Sequence, residues 1–328
     1  MRRALNRLGF FTLTLWVAVT INFLLPRLMP GSPADAALAK IARRGPVDAG
    51  TRRAIEALLG VPTGSTWDQY VDYLGRVGRF DFGLSYSYYP QSVDHVVAGA
   101  LPWTLVLVGS VTVISAVLGF GLGTLAAWRR GTWLDSAPTL SSMAIAAFPY
   151  FWTALMLLYV LGYLLHWFPT SGAYGATTVP NPSWGFVSEA AWHGVLPAVT
   201  IVLTSLGGSM IGMRNNVITT LGEDYVTFAE ANGLHPRTIA LRYGARNALL
   251  PTLTAFGLSL GSVVGGSLLV EAVFRYPGMG LLLYNAVINQ DYPLMQACFL
   301  MITVSTLVAN LAVDLVYGFL DPRTRRTS

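Results

Sequence analysis

The chain contains one lysine, Lys40, and nothing around it matches G-x-x-x-x-G-K-[ST]. Without that lysine and the glycine-rich loop that cradles nucleotide phosphates, it is not an ordinary P-loop ATPase. Cysteine is as scarce. Cys298 stands alone, so no intrachain disulfide can form, and a lone thiol in an apolar run reads as a small packing residue. The four histidines (His95, His166, His193 and His235) are scattered at positions read as loops, and no H-E-x-x-H run occurs. That pattern excludes the usual metal-ligand spacings. Gly207-Gly208-Ser209 lacks the second glycine of a nucleophile elbow. Charge is thin as well: 11% of residues are charged, against about 25% in soluble domains. No catalytic set, bound cofactor or metal site is expected in this chain.

What replaces charge is hydrophobic length. Of 328 residues, 53% are hydrophobic, and a membrane-spanning helix needs about 20 mostly apolar residues. Six stretches qualify, at roughly 9–29, 101–128, 137–165, 194–213, 249–273 and 295–319. No barrel-type alternation appears, and helices satisfy their backbone groups inside lipid. The expected fold is an all-α integral membrane protein of six transmembrane helices, with a sizeable extracytoplasmic insertion after the first. The N-terminus imitates a signal peptide, but its apolar run is long and Pro26 to Pro33 separates it from a small-x-small site. It reads as an uncleaved first span.

The net charge of +5 orients the chain in the membrane and does not point to nucleic acid. Arg2, Arg3, Arg7, Arg129, Arg130, Arg214, Arg237, Arg242, Arg246, Arg323, Arg325 and Arg326 all fall on one side if six spans alternate. The positive-inside rule makes that side cytoplasmic, with both termini inside. Lys40 and six arginines between residues 31 and 100 oppose this, but seven acids balance them, and loops beyond about 60 residues escape the rule. The expected organisation is a tail and first helix over 1–30, an extracytoplasmic segment over 31–100, and a five-helix core over 101–328.

The outer segment carries an aromatic set, Trp67, Tyr70, Tyr73, Phe80, Phe82, Tyr86, Tyr88 and Tyr89. It suits a packed lid or a docking surface for an extracytoplasmic partner. A helix is expected over Thr51–Leu59, and a turn from Gly60 to Thr66. Trp167, Trp184 and Trp192 fit a membrane interface. Glu271 to Pro293 reads as a further outer segment with a short re-entrant or interfacial helix. Gly119, Gly121 and Gly123, and Gly257, Gly261, Gly265 and Gly266, allow close helix packing or a sliding interface. Asp314 is the one acid placed clearly within a span, near Arg323 and Arg325, and reads as a local ion pair or snorkelling contact ahead of a proton relay.

One inner connection, Arg214–Ala248, is too well patterned for a plain loop. Glu223 and Asp224 put negative charge where a helix starts. Tyr225, Phe228, Ala229 and Asn232 recur at helical spacing as a mostly apolar stripe. Gly233 is placed to end that helix, and His235-Pro236 restarts the chain, with proline suited to the first helical position. A short structured element on a membrane protein's surface points to a protein partner.

These residues carry a resemblance. The connection resembles the EAA-type loop of permease subunits in bacterial ATP-binding-cassette importers. More narrowly, it is similar to the dipeptide, oligopeptide and nickel branch, and the likeness covers nearly the whole chain. Met29-Pro-Gly-Ser-Pro-Ala34, Asp81-Phe-Gly-Leu-Ser85, Leu101-Pro102, Trp133-Leu-Asp135, Phe148-Pro-Tyr-Phe-Trp152 and Leu196-Pro197 appear in the family's order. Glu223-Asp-Tyr-Val226, Ala229-Glu-Ala-Asn-Gly-Leu234 and Arg246-Asn-Ala-Leu-Leu-Pro251 follow. Val270-Glu-Ala-Val-Phe274, Pro277-Gly278, Asp291-Tyr-Pro293 and Leu320-Asp-Pro-Arg323 complete the series. Each fragment alone is weak, and their ordered succession is specific.

The resemblance implies a non-catalytic subunit of a multi-pass importer in the bacterial cytoplasmic (inner) membrane. It implies a second homologous permease as a heterodimer partner, and two cytoplasmic ATP-binding subunits or one fused ATPase holding ATP and Mg. An extracytoplasmic substrate-binding protein is implied too, with membrane lipids around the helices and no nucleic acid. Tyr225, Phe228, Ala229, Glu230, Ala231, Gly233 and Leu234 would then be the ATPase-coupling residues. The substrate would be a di- or oligopeptide, with nickel, glutathione or another small solute as alternatives. Substrate-binding residues are not legible. Members of that family commonly read A-R-A-K-G where this chain has Ala229-Glu-Ala-Asn-Gly233, which alters the charge offered to the ATPase. A stand-alone channel or secondary transporter is the competing class, and would move solute without an ATPase.

Overall fold

The computed structural model describes residues 2–28, 50 and 65–320. Among them every extended regular element is helical, apart from one isolated bridge between Leu84 and Ser92. The helices are α1 (Arg2–Leu28), α2 (Thr66–Gly78), α3 (Val93–Trp128), α4 (Trp133–Ala146) and α5 (Tyr150–Leu157, continuing as a π-helix over Leu158–Leu164). Then come α6 (Trp184–Leu221), α7 (Asp224–Ala231), α8 (Pro236–Thr238, passing into a π-helix over Ile239–Ala245), α9 (Arg246–Val273), α10 (Met279–Ile288) and α11 (Tyr292–Leu320). The chain divides into two compact units, Met1–Trp103 with Gly278–Leu307, and Thr104–Pro277 with Val308–Ser328.

Among the described residues, three helices are long and apolar enough to cross a membrane: Val93–Trp128, Trp184–Leu221 and Tyr292–Ala312. Large exposed side chains along α3, including Leu105, Val106, Val113 and Val117, are what a lipid-facing helix requires. The stretch expected as one span over 137–165 is broken into α4 and α5, bent by 103°. The cause is local. Pro149 disfavours helical geometry at Phe148, takes the N-cap position of α5 itself, and Phe148 stacks on Trp152 with ring centroids 4.5 Å apart.

In the first unit, α2 is fastened to α1. Ser65 and Asp68 form a reciprocal capping box that satisfies two otherwise orphan donors at its start. Tyr70 and Tyr73 pack with Val19, Phe23 and Leu300, joined by Phe82. The Tyr73 hydroxyl accepts from Asn22 at 3.2 Å, and the Tyr70 hydroxyl pairs with Thr20 at 2.7 Å. Burial pushes the Tyr73 phenol up to about 12, so it remains a neutral hydrogen-bonding group. Part of the expected aromatic set is therefore a packed cap. The expected helix over Thr51–Leu59 lies outside the described residues, and Thr66, expected in a turn, begins α2. Elsewhere in the unit, the buried Asp291 carboxylate accepts from the Ser85 hydroxyl at 2.6 Å, the Ser87 N–H at 2.8 Å and the Leu294 N–H at 3.3 Å. It ties the segment before α3 to the start of α11. Cys298 is buried, as its reading as a packing residue expects.

In the second unit α6 is central. A Cβ on Gly123 would lie 2.5 Å from the Met210 carbonyl oxygen and 2.8 Å from the Met213 Cβ, so only glycine lets α3 approach α6 this closely. Ser115 and Ser205 hydrogen-bond across the same crossing at 3.0 Å. Asn216 donates to the Thr252 hydroxyl of α9 at 3.0 Å. Glu271, expected to open an outer loop, lies in α9, fully buried, and accepts from the Thr104 hydroxyl at 2.8 Å. His95 and His193, expected in loops, stand on α3 and α6. The Asp314 side chain and its expected arginine partners lie outside the described residues.

Candidate functional site

The connection expected at Arg214–Ala248 resolves into the end of α6, α7, and the run from α8 into α9. Glu223 is the N-cap of α7, in extended geometry without a side-chain cap bond, and Asp224 supplies the acidic first turn. Negative charge there complements the helix dipole. The helix stops where expected. Gly233 has φ +74°, its N–H reaches the Glu230 carbonyl at 2.9 Å, and the Leu234 N–H reaches the Ala229 carbonyl at 3.2 Å. These are the two bonds of a Schellman stop, and the left-handed position between them suits glycine. His235 then caps α8 by accepting the Arg237 N–H on Nδ1 at 3.2 Å, with Pro236 in the first turn.

The apolar stripe divides differently from its expected composition. Val226 and Ala229 are the buried residues of α7, packed with Ile239, Leu221 and Tyr243. Phe228 is instead 72% exposed and Tyr225 is 41% exposed. Successive helical residues are about 100° apart, so Val226 and Ala229 share one face while Tyr225 and Phe228 share the neighbouring one. Tyr225 bridges the two: its ring stacks on Tyr243 at 6.4 Å and its hydroxyl accepts from Asn247 at 3.1 Å, which ties α7 to the first turn of α9. Glu230, Gly233 and Leu234 are exposed, as is Ala231. Asn232 donates to the Phe228 carbonyl at 2.7 Å and so stays within its own helix.

The structure thus brings the seven expected coupling residues to one short helix and its stop. Only Ala229 among them is buried, and the inward anchor Val226 was absent from that set. Its signal was legible, because Val226 and Ala229 sit at i and i+3, two apolar residues on one helical face. Sequence reasoning also gave no role to Asp135. Its buried carboxylate receives Arg214 through two nitrogens, with the second contact at 2.9 Å, and the Gly131 N–H at 3.1 Å. Nothing in a one-dimensional reading pairs residues 79 positions apart.

Among the described residues no group of three or more His, Cys, Asp or Glu is placed to hold a metal ion. The site offers a half-seated helix with a large aromatic and an acid turned outward, a shape for protein contact.

Several long apolar helices around a structured polar connection are those of a multi-pass membrane protein. The family model described as "binding-protein-dependent transport system inner membrane component" matches residues 119–326, and the chain belongs to that family. It is 34% identical over 255 residues to the oligopeptide transport system permease protein AppB of Bacillus subtilis, covering 78% of this chain and 79% of that protein. It is 33% identical over 332 residues to a putative peptide permease protein of Brucella suis, covering 100% of both. The glutathione transport system permease protein GsiC of Escherichia coli is 30% identical, with 95% of each chain covered.

Proposed function

We propose that the chain carries di- or oligopeptides across the cytoplasmic membrane, as one half of a permease whose energy comes from separate ATPase subunits. The observation that carries this is α7: a helix held by Val226 and Ala229 with Phe228 and Glu230 facing outward. ATP-driven closure of a partner changes this chain's conformation only through contacts that differ between states, and that outward edge offers them. Tyr225, Phe228, Ala229, Glu230, Ala231, Gly233 and Leu234 form the contact, with Ala229 as the seat. ATP and Mg belong to the ATPases, and this chain contributes no cofactor.

In this reading six spans cross the membrane, one of them the bent pair α4–α5, with α7 and both termini cytoplasmic. The segment 31–100 lies outside, where an extracytoplasmic binding protein delivers substrate, and a homologous permease completes the pathway. The peptide substrate follows the names of the oligopeptide and peptide relatives. Glutathione, itself a small peptide derivative, is the second reading, supported by the relative of that name.

The test is reconstitution of the whole importer in liposomes, with ATP hydrolysis and uptake measured against di- and tripeptides, glutathione and nickel. Stimulation by peptides is expected. Stimulation by nickel alone would overturn the substrate while sparing the architecture, and uptake by the isolated chain without ATPase would overturn the coupling. Replacing Glu230 by Arg should alter ATPase stimulation, and unchanged stimulation would remove Glu230 from the contact.

A further inference from the structure

Three segments meet where α6 leaves the apolar region. The Met210–Arg214 stretch of α6 lies against Gly123 of α3, closely enough that a Cβ there would sit 3.0 Å from the Arg214 N. From the other side comes the start of α4. Asp135, in its first turn, receives the Arg214 guanidinium through Nε on one oxygen and Nη2 on the other, the latter at 2.9 Å. The second oxygen also accepts the Gly131 N–H at 3.1 Å. The carboxylate thus closes the turn that launches α4 and grips α6 in one planar, two-point contact. Such forks fix orientation as well as distance.

The Asp135 side chain is buried, at 7% exposure, and the Arg214 side chain is half-buried, at 21%. A bridge so shielded is little screened by salt, and one buried at this depth is weak evidence for stability by itself, because desolvation offsets much of the attraction. Its position suggests a different use. Leu221 lies seven helical steps beyond Arg214, a lever of about 10 Å at 1.5 Å per residue, and α7 begins three residues later. Along that lever Asn216 engages Thr252 of α9, and Val217 packs with Met213 and Ala248. On α4 the other tie near Arg214 is farther along, where Ser142 donates to the Met210 sulfur at 3.7 Å and backs on Gly207.

We propose that Asp135 is a positioning residue for energy coupling: its two-point grip on Arg214 makes the start of α4 move with the end of α6 when α7 is displaced. The inference rests on the reading of α7 as the ATPase contact and adds the route by which its displacement reaches the bent α4–α5 pair. With the grip in place, α4 is pulled at its first turn. Without it, α6 and α9 follow α7 while the first turn of α4 is free to lag.

Hydrogen exchange on the complete importer, with and without ATP and vanadate, reads this directly and needs no transported substrate. In the natural chain, trapping should change exchange across both 224–234 and 132–142. In Asp135→Asn the change at 224–234 should persist and that at 132–142 should be lost. The exchange of the charges, Asp135→Arg with Arg214→Asp, should restore part of it. Arg214→Lys, which keeps the charge but not the fork, should give a reduced change, and it decides the matter if Asp135→Asn fails to assemble. Transport per ATP should fall in Asp135→Asn, by roughly 5-fold if the loss is at the lower end of typical coupling free energies.

A change at 132–142 that survives in both single variants would overturn the proposal. So would a natural chain that responds at 224–234 and not at 132–142. No ATP-dependent change at 224–234 in the natural chain would instead defeat the reading of α7, a separate and distinguishable outcome.

Discussion

Two short helices, α2 and α7, each lie beside a long one, and they are held in opposite ways. α2 spends its polar side chains on its own neighbourhood. Ser65 and Asp68 cap it, Tyr70 and Tyr73 reach Thr20 and Asn22 of α1, and Arg27 of α1 donates to Gln69 at 2.9 Å. Arg27 also lies over the Phe23 ring at 3.6 Å, closing an aromatic–cation cluster worth ~0.5–1 kcal/mol at an exposed site. α7 is held by two small buried side chains and one tyrosine hydroxyl. Its N-cap makes no side-chain bond, and one of its two aromatic side chains, Phe228, points outward. Every tie that α2 makes reduces what it can offer a partner. α7 keeps its surface in reserve, at the cost of a shallow seat.

The largest expected effect comes from destroying that seat. Val226→Asp places a carboxylate where Val226 is 1% exposed among Leu221, Ile239 and Tyr243. An uncompensated buried charge costs roughly 3–5 kcal/mol, so α7 should detach, with ATPase association and uptake both lost while the long helices remain. Co-purification of the ATPase and helical content by circular dichroism report the two separately. Loss of overall helix would mean that α7 is structural and not a docking element.

A smaller effect is expected at the end of α7. Gly233→Ala forces a side chain into a φ of +74°, a strain of about 1–2 kcal/mol. No atom lies within 4 Å of the Cβ it would carry, so the penalty is conformational and not steric. Thermal stability of the isolated chain should fall slightly, while the midpoint for ATPase stimulation shifts more. An equal shift in both would erase the distinction between a seat and a surface.

The smallest belongs to α2. Ser65→Ala removes the side-chain acceptor of the Asp68 N–H at 3.2 Å, at a cost of about 1 kcal/mol. Exchange of the α2 amides should quicken and ATPase stimulation should stay unchanged. A change in stimulation would break the contrast between the two helices.

The sequence exposed one of these helices far better than the other. α7 carries its own punctuation: paired acids before it, glycine after it, and then His-Pro, each acting through neighbours a few residues away. α2 had a legible capping box in Ser65 and Asp68, but the run of glycine and threonine before it suggested a longer turn. Its aromatic residues signalled packing without naming α1 as the partner. Proline alone did not mark the bend at Pro149, since Pro102, Pro138, Pro197 and Pro251 lie inside continuous helices, and hydrophobic length carries no sign of a bend. Asp135 and Glu271 were the hardest to place. Their meaning depends on Arg214 and Thr104, and pairing across 79 or 167 positions is decided by tertiary packing.

The central claim is that α7, unlike α2, meets an ATPase. Phe228 and Trp67 offer a matched pair, 72% and 69% exposed on α7 and α2. Each is replaced by Asp in the assembled importer, and the ATPase retained after purification is measured. Loss of a central aromatic anchor costs about 2 kcal/mol or more of binding, near 30-fold in affinity. Phe228→Asp should therefore strip the ATPase while Trp67→Asp leaves it bound, and full retention by Phe228→Asp would contradict the account.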